Sequence, residues 1–168
     1  MEKDRIFIIG PSGSGKSFLA EKISKKLGIS HFDLDDIYWI KKPIKRRAKA
    51  LWKPRLKKII AKKKWIIEGA FSSWVGDAIK KAELVVWLDI SYKVMSFRLL
   101  TRYLKRKLAG KEGPFSGTWY LITYAKKYSK RKAKQYKKHK KLMKKYRKKF
   151  VLIQNKKQLK QFLGDLKR

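Results

Sequence analysis

Residues 5–17 read Arg5-Ile-Phe-Ile-Ile-Gly10-Pro-Ser-Gly-Ser-Gly-Lys16-Ser17, an apolar run that stops at a glycine and passes into a glycine-rich loop. The run has no polar alternation, which predicts a strand buried on both faces, as in a parallel sheet. After the loop, Phe18, Leu19, Ile23 and Leu27 recur at helical spacing and Gly28 closes the pattern, predicting a helix from Lys16 to Leu27. Strand, glycine loop and helix in that order aim successive backbone N–H groups and a helix N-terminus at one anion. Gly10 to Ser17 also satisfies G-x-x-x-x-G-K-[ST] in full, the pattern of a loop that cradles nucleotide phosphates. Gly10, Pro11, Ser12, Gly13, Ser14, Gly15, Lys16 and Ser17 are therefore the expected ATP-binding residues. Lys16 is expected to bridge the β- and γ-phosphates, and the Ser17 hydroxyl to ligate Mg2+.

Outward from the loop, strands are expected at His31 to Leu34, Trp65 to Glu68, Leu84 to Asp89 and Phe150 to Ile153. Helical stretches separate them, and this alternation predicts an α/β fold with a parallel sheet. Pro54 is expected in the first turn of a helix running to about Lys63, with Pro43 breaking the segment before it. Tyr92 to Leu108 reads as a helix, and Gly110, Gly113, Pro114 and Gly117 punctuate the loop after it. From Thr118 to Lys149 one long helix is expected, with Tyr128, Tyr136, His139, Met143, Tyr146 and Phe150 forming an inward aromatic stripe among lysines.

A magnesium site needs a carboxylate at the end of a strand beside the loop strand, and two positions compete: Glu68, before Gly69, and Asp89. Asp89 stands before Ser91 and a helix, where a capping role is the simpler reading, so Glu68 is preferred. In His31-Phe-Asp-Leu-Asp-Asp-Ile-Tyr-Trp39, period-two alternation places Asp33 and Asp35 on one side of an extended segment. Asp33 is assigned to the metal and Asp35 to the acceptor as general base, while a helix N-cap at Asp35 or Asp36 is the plainer alternative. Arg98, Arg102 and Arg106 recur at i, i+4 and i+8 in a chain that otherwise prefers lysine. Arg98 and Arg102 are expected to bind the nucleotide and neutralise the charge of a moving phosphoryl group. Both histidines, His31 and His139, look structural.

The 168 residues suit one compact domain with a single core. The longest apolar runs are far too short to span a bilayer, so no membrane partner is expected, and a cytoplasmic monomer is the working expectation. With 48 Lys and Arg against 12 Asp and Glu, the net charge is +36, a field that attracts nucleotides, nucleic acid and anionic lipid surfaces alike. Ten of the twelve acids lie at or before Asp89, with Glu112 and Asp165 beyond it, so the positive charge concentrates in the second half. The Lys126 to Lys149 tract holds fifteen basic residues in twenty-four, and nonspecific nucleic-acid binding through this basic 126–149 helix is the rival expectation for function, with a regulatory or hydrolytic nucleotide site.

The chain resembles adenylate-kinase-related P-loop proteins, most closely the bacterial and archaeal group that carries the name DNA topology modulation protein. The resemblance rests on Gly10 to Ser17, Leu34-Asp-Asp-Ile-Tyr-Trp39, Trp65-Ile-Ile-Glu-Gly69, Leu84 to Asp89, and the Arg98 and Arg102 pair. It implies a three-layer α/β/α fold with a five-stranded parallel sheet of order 2-3-1-4-5. It further implies a single domain over 1–168, an acceptor-covering region at about 36–63 and a short lid at about 106–117. The implied activity is an ATP- and Mg2+-dependent phosphotransfer. Where adenylate kinases carry Asp-Gly-Phe-Pro-Arg this chain has Glu68-Gly-Ala-Phe-Ser72, which lacks the arginine used on AMP. Phe32-Asp-Leu-Asp35 is closer to the Asp-x-Asp of shikimate kinases, so the expected acceptor is a nucleoside monophosphate or a small hydroxylated metabolite.

Overall fold

The computed structural model describes residues 3–41, 45–70, 75–111 and 113–166. Strand β1 (Arg5–Ile9) lies at the centre of a parallel sheet, with β5 (Trp65–Gly69) on one side and β6 (Leu84–Leu88) on the other. Strand β2 (His31–Asp33) pairs with β5 at one edge, and β7 (Phe150–Ile153) pairs with β6 at the other. The observed order is β2-β5-β1-β6-β7, and the expected numbering 2-3-1-4-5 is corrected accordingly. The difference comes from a separate antiparallel pair, β3 (Trp39–Lys41) and β4 (Lys45–Arg46), which intervenes along the chain without joining the sheet.

Alternate residues of the central strands serve two cores. Phe7, Ile9, Ile67, Val85 and Trp87 pack on the side that holds helix α3 (Lys49–Ile60) and helix α4 (Gly76–Lys81). Ile6, Ile8, Ile66, Val86 and Leu88 pack on the side of helix α1 (Lys16–Leu27) and helix α8 (Lys156–Asp165). Burial on both faces is why these strands are unbroken apolar runs.

Two helices differ from expectation. Pro54 lies in the second turn of α3, not the first, because Trp52 is already buried and the helix must begin before it to place that indole in the core. Pro54 there lacks the N–H that would bond the preceding turn. Pro43 lies outside the described residues.

The single helix expected from Thr118 to Lys149 is two: α6 (Phe115–Ser129) and α7 (Lys134–Lys145), followed by a 3-10 turn at Arg147–Lys149. Arg131 breaks the run with a left-handed φ of 62°. The bend has a packing reason. Tyr128 and Tyr136 would be about 12 Å apart along one straight helix, yet their ring centroids stand 5.3 Å apart. Folding the chain back lets Tyr136 and His139 both pack against the Trp87 indole, at 5.4 and 5.8 Å.

A buried hydrogen-bond chain ties this corner together. The Trp87 indole N–H donates to Tyr128 Oη at 2.8 Å, and Tyr128 Oη lies 2.8 Å from His139 Nδ1. The phenol oxygen accepts from the indole and shares a second hydrogen bond with the imidazole Nδ1. Burial lowers the His139 pKa to about 3, with the nearby Lys16 charge acting in the same direction. The folded state therefore keeps this ring neutral, while the unfolded chain binds its proton near the ordinary value of about 6.5. The unfolded state holds more protons between those values, so stability falls as pH drops from about 6.5 towards 3, by at most about 1.4 kcal/mol per pH unit. His139→Gln is expected to flatten that part of a urea-denaturation pH profile; an unchanged slope would remove His139 as its source.

No helix among the described residues is long and apolar enough to cross a membrane.

Candidate functional site

The loop between β1 and α1 turns on glycines. Gly15 N-caps α1 at φ 97°, where a Cβ would stand 2.9 Å from Arg98 Nη1. The first N–H groups of α1 have no intrahelical acceptor and point out of the helix start. Ser14 Oγ is buried and has no hydrogen-bond partner among the described residues. A cradle of donors and an orphaned hydroxyl fit an oxyanion such as a phosphate.

The loop opens onto a cleft of about 210 Å3, whose walls include Ser12, Gly13, Gly15, Lys16, Ser17, Asp33, Asp35, Glu68, Arg98 and Arg102. Of the expected site residues, only Gly10, Pro11 and Ser14 stand behind this wall. They shape the loop: the Lys16 ammonium and the Ser14 N–H both donate to the Pro11 carbonyl, at 3.2 Å each. Burial pulls the Lys16 pKa below the ordinary lysine value; the Glu68 and Asp33 carboxylates oppose this, and Arg102 adds to it.

Parallel pairing of β1 with β5 sets Ile8 beside Glu68, at the end of the sheet where the loop begins. Glu68 is 2% exposed, and Ser17 Oγ donates to its Oε1 at 2.5 Å. Gly69 next to it makes room for Leu34, because a Cβ there would stand 2.7 Å from the Leu34 side chain. Asp89 belongs elsewhere. Its half-buried carboxylate accepts from the Gln154 amide at 3.3 Å, burial raises its pKa, and it does not line the cleft. Nor does it supply a side-chain cap to the following helix α5 (Tyr92–Leu108).

Asp33 and Asp35 both reach the cleft, but not as alternate residues of one strand. β2 ends at Asp33, whose Oδ1 accepts from the Asp35 N–H at 2.8 Å and caps helix α2 (Leu34–Tyr38). The capping residue is thus Asp33 and not Asp35 or Asp36, and Asp35 sits in the first turn of α2.

Arg98 stands over the loop, donating to the Ser14 carbonyl at 2.8 Å. Arg102, one turn further along α5, lines the same cleft. Arg106, on the same helix face, does not: it donates to the Lys111 carbonyl at 3.1 Å and fastens the turn after α5. Half of the span read as a lid, 106–117, is helical, with residues 109–114 between α5 and α6 and Glu112 outside the described residues. Phe71 and Ser72, where the adenylate-kinase arginine is missing, also lie outside them.

Three neighbours of the cleft went unrecognised in the sequence. Phe18 lines it and is 55% exposed, read before only as part of a helical stripe. His139 comes close enough for the Lys16 charge to act on it, and Gln135 of α7 donates to the Ala70 carbonyl on the cleft wall. No local pattern announces either contact, because both join segments far apart in sequence.

The donor set fits magnesium. One hydroxyl and one carboxylate face each other, and no group of three or more His, Cys, Asp or Glu side chains forms a cage among the described residues. Magnesium bound with nucleotide needs only one or two protein oxygens, the rest coming from phosphates and water. The basic tract fits its rival reading less well. Tyr128, Tyr136 and His139 are buried, so the aromatics interleaved with its lysines are spent on the core and offer bases no platform.

No family model matches the chain. A Bacillus subtilis (strain 168) protein named Uncharacterized protein YqaC is 38% identical over 118 residues, which span 64% of this chain and 64% of that protein. The chain thus matches less than two thirds of that relative's length. Among solved structures, deoxyadenosine kinase from M. mycoides with bound dATP is 17% identical, with a TM-score of 0.54 over 95% of this chain and 97% of that one. Shikimate kinase from Bacteroides thetaiotaomicron is 17% identical, with a TM-score of 0.52 over 96% and 95%. A gluconokinase from Sinorhizobium meliloti 1021 is 16% identical, with a TM-score of 0.50 over 95% and 86%. At these identities the likeness is one of fold, an α/β fold with a five-stranded parallel sheet like that of these kinases. The name DNA topology modulation protein finds no support in these likenesses.

Proposed function

We propose that the protein is an ATP- and Mg2+-dependent phosphotransferase whose acceptor is a nucleoside monophosphate or a small hydroxylated metabolite. The observation that carries this reading is the Ser17–Glu68 contact beside Lys16, in a cleft that also holds Asp33, Asp35, Arg98 and Arg102. A hydrolase needs only water at such a site; the aspartates opposite the loop offer acceptors for substrate hydroxyls. The fold neighbours are named for shikimate, deoxyadenosine and gluconate kinases, which supports a hydroxyl as the group phosphorylated.

In this reading the loop N–H groups and Lys16 hold the β- and γ-phosphates. Ser17, Glu68 and Asp33 would hold the magnesium, which would supply neutralisation of the phosphate charge. Asp35, in the first turn of α2 and on the cleft wall, accepts the proton of the attacking hydroxyl. Arg98 and Arg102 meet the charge that spreads over the equatorial oxygens during transfer. The segment 36–63 covers the acceptor and 106–117 closes over the nucleotide, within one domain over 1–168.

ADP release measured across nucleoside monophosphates and hydroxylated metabolites tests this. One acceptor is expected to stimulate release saturably, and Asp35→Asn to lower its kcat/KM by about 10² to 10⁴. Absence of saturable, magnesium-dependent ATP binding would sink the reading.

A further inference from the structure

Helix α5 carries two apolar faces. Met95 and Leu99 are buried and pack against Ile122 and Ala125 of α6. On the opposite side, Val94, Phe97, Leu100, Leu104 and Leu108 fall within about 120° of arc, and they are 40, 71, 41, 49 and 89% exposed. Single exposed apolar residues are ordinary, but a contiguous stripe marks a contact surface. The stripe continues onto the start of α6, where Phe115 and Trp119 are 40 and 58% exposed and Phe115 packs on Tyr103 at 4.9 Å. Lys105 and Lys107 stand on its two edges, Lys93 and Lys111 near its ends, and neither α5 nor α6 contains an acid.

We infer that this face of α5 and the first turn of α6 rest on an anionic lipid bilayer surface. An aliphatic stripe bordered by lysines, with tryptophan and phenylalanine alongside, is the pattern of a helix that lies in the headgroup region with its apolar side among the acyl chains. Charge argues against the other occupants. A second copy would bring two chains of +36 face to face. Nucleic acid answers the lysines but not the stripe, since bases stack on rings and four of its five members are aliphatic. The contact lies on the membrane and does not cross it. It also places the cleft arginines, Arg98 and Arg102, on a flank of the helix that touches the lipid.

The test is co-sedimentation of the whole chain with phosphatidylcholine vesicles, with and without phosphatidylglycerol, at low and high salt. The wild-type protein is expected to bind the anionic vesicles and to keep part of that binding at high salt, because screening removes the lysine attraction and leaves the apolar burial. Leu100→Ser/Leu104→Ser preserves the charge and lies outside the cleft and the 106–117 segment. It is expected to keep its thermal midpoint and ATP binding and to lower the salt-resistant partition about tenfold or more. The proposal is overturned if anionic vesicles are not bound, or if the variant binds them as the wild type does. It is equally overturned if the variant turns a dimer into a monomer in sedimentation, or loses poly(U) affinity by the same factor.

Discussion

Replacing Lys16 with alanine is expected to lower phosphoryl transfer by about 10² to 10³, with saturable ATP binding weakened in parallel. The side chain has no substitute at its position. It is held against the Pro11 carbonyl at the base of the cleft, and the Glu68 and Asp33 carboxylates sustain its charge against burial. Arg98 and Arg102 come from α5, and Arg98 is engaged by the Ser14 carbonyl at 2.8 Å. Lys16→Arg is expected to restore little, because a planar guanidinium is bulkier than the ammonium and the loop encloses it. Isothermal titration with ATP in the presence and absence of magnesium, together with single-turnover transfer, separates binding from chemistry. An alanine variant within a few-fold of wild type in both would show that the loop does not hold a reacting nucleotide.

Trp87→Ala is expected to be the most destabilising single change, by about 3 to 5 kcal/mol against a typical total of about 5 to 15. The indole is 1% exposed, meets Tyr136 and His139, and anchors the hydrogen-bond chain through Tyr128 to His139. Removing it opens a cavity beneath the bend at Arg131 and leaves the Tyr128 hydroxyl without its donor. For a chain of this size the thermal midpoint should fall by about 10 °C or more. A milder pair isolates the hydrogen bond. The Trp65 indole N–H is buried without a partner among the described residues, so Trp65→Phe removes an unsatisfied group, whereas Trp87→Phe strips a bond from Tyr128. Trp87→Phe is expected to cost about 1 kcal/mol or more beyond Trp65→Phe in urea denaturation. Equal costs for the two would show that the buried chain contributes nothing beyond packing.

Local pattern carried a large part of this protein. The run Arg5–Ile9, the glycine loop and the helix to Leu27 each follow from neighbours within a few residues, and the structure has all three within the bounds read from sequence. The same holds for α5, whose limits Tyr92 and Leu108 match the periodic apolar positions and the glycines after them. The central strands of the parallel sheet were legible too, since β1, β5 and β6 are buried along nearly their whole length and announce themselves as apolar runs. The hairpin β3–β4 was not: its residues Trp39–Lys41 and Lys45–Arg46 are short and mixed in polarity, and only pairing gives them a structure.

The Gly10–Ser17 motif and the apolar periodicities thus determined, without help, a parallel α/β sheet with a phosphate-cradling loop at its centre. Tertiary structure alone decided which carboxylate faces Ser17. Glu68 and Asp89 end equivalent strands, and the Ser17–Glu68 bond spans 51 positions that become neighbours only through the pairing of β5 beside β1. It also decided that Asp33 caps α2, that Arg106 leaves the set formed by Arg98 and Arg102, and that the chain breaks at Arg131 to bring two tyrosines onto one indole. Helical spacing within residues 94–108 places apolar side chains on both sides of α5, and only the docking of α6 on Met95 and Leu99 reveals which side is left exposed. Periodicity records that a side chain needs burial; what buries it is set by contacts between segments whose separation along the chain no local pattern encodes.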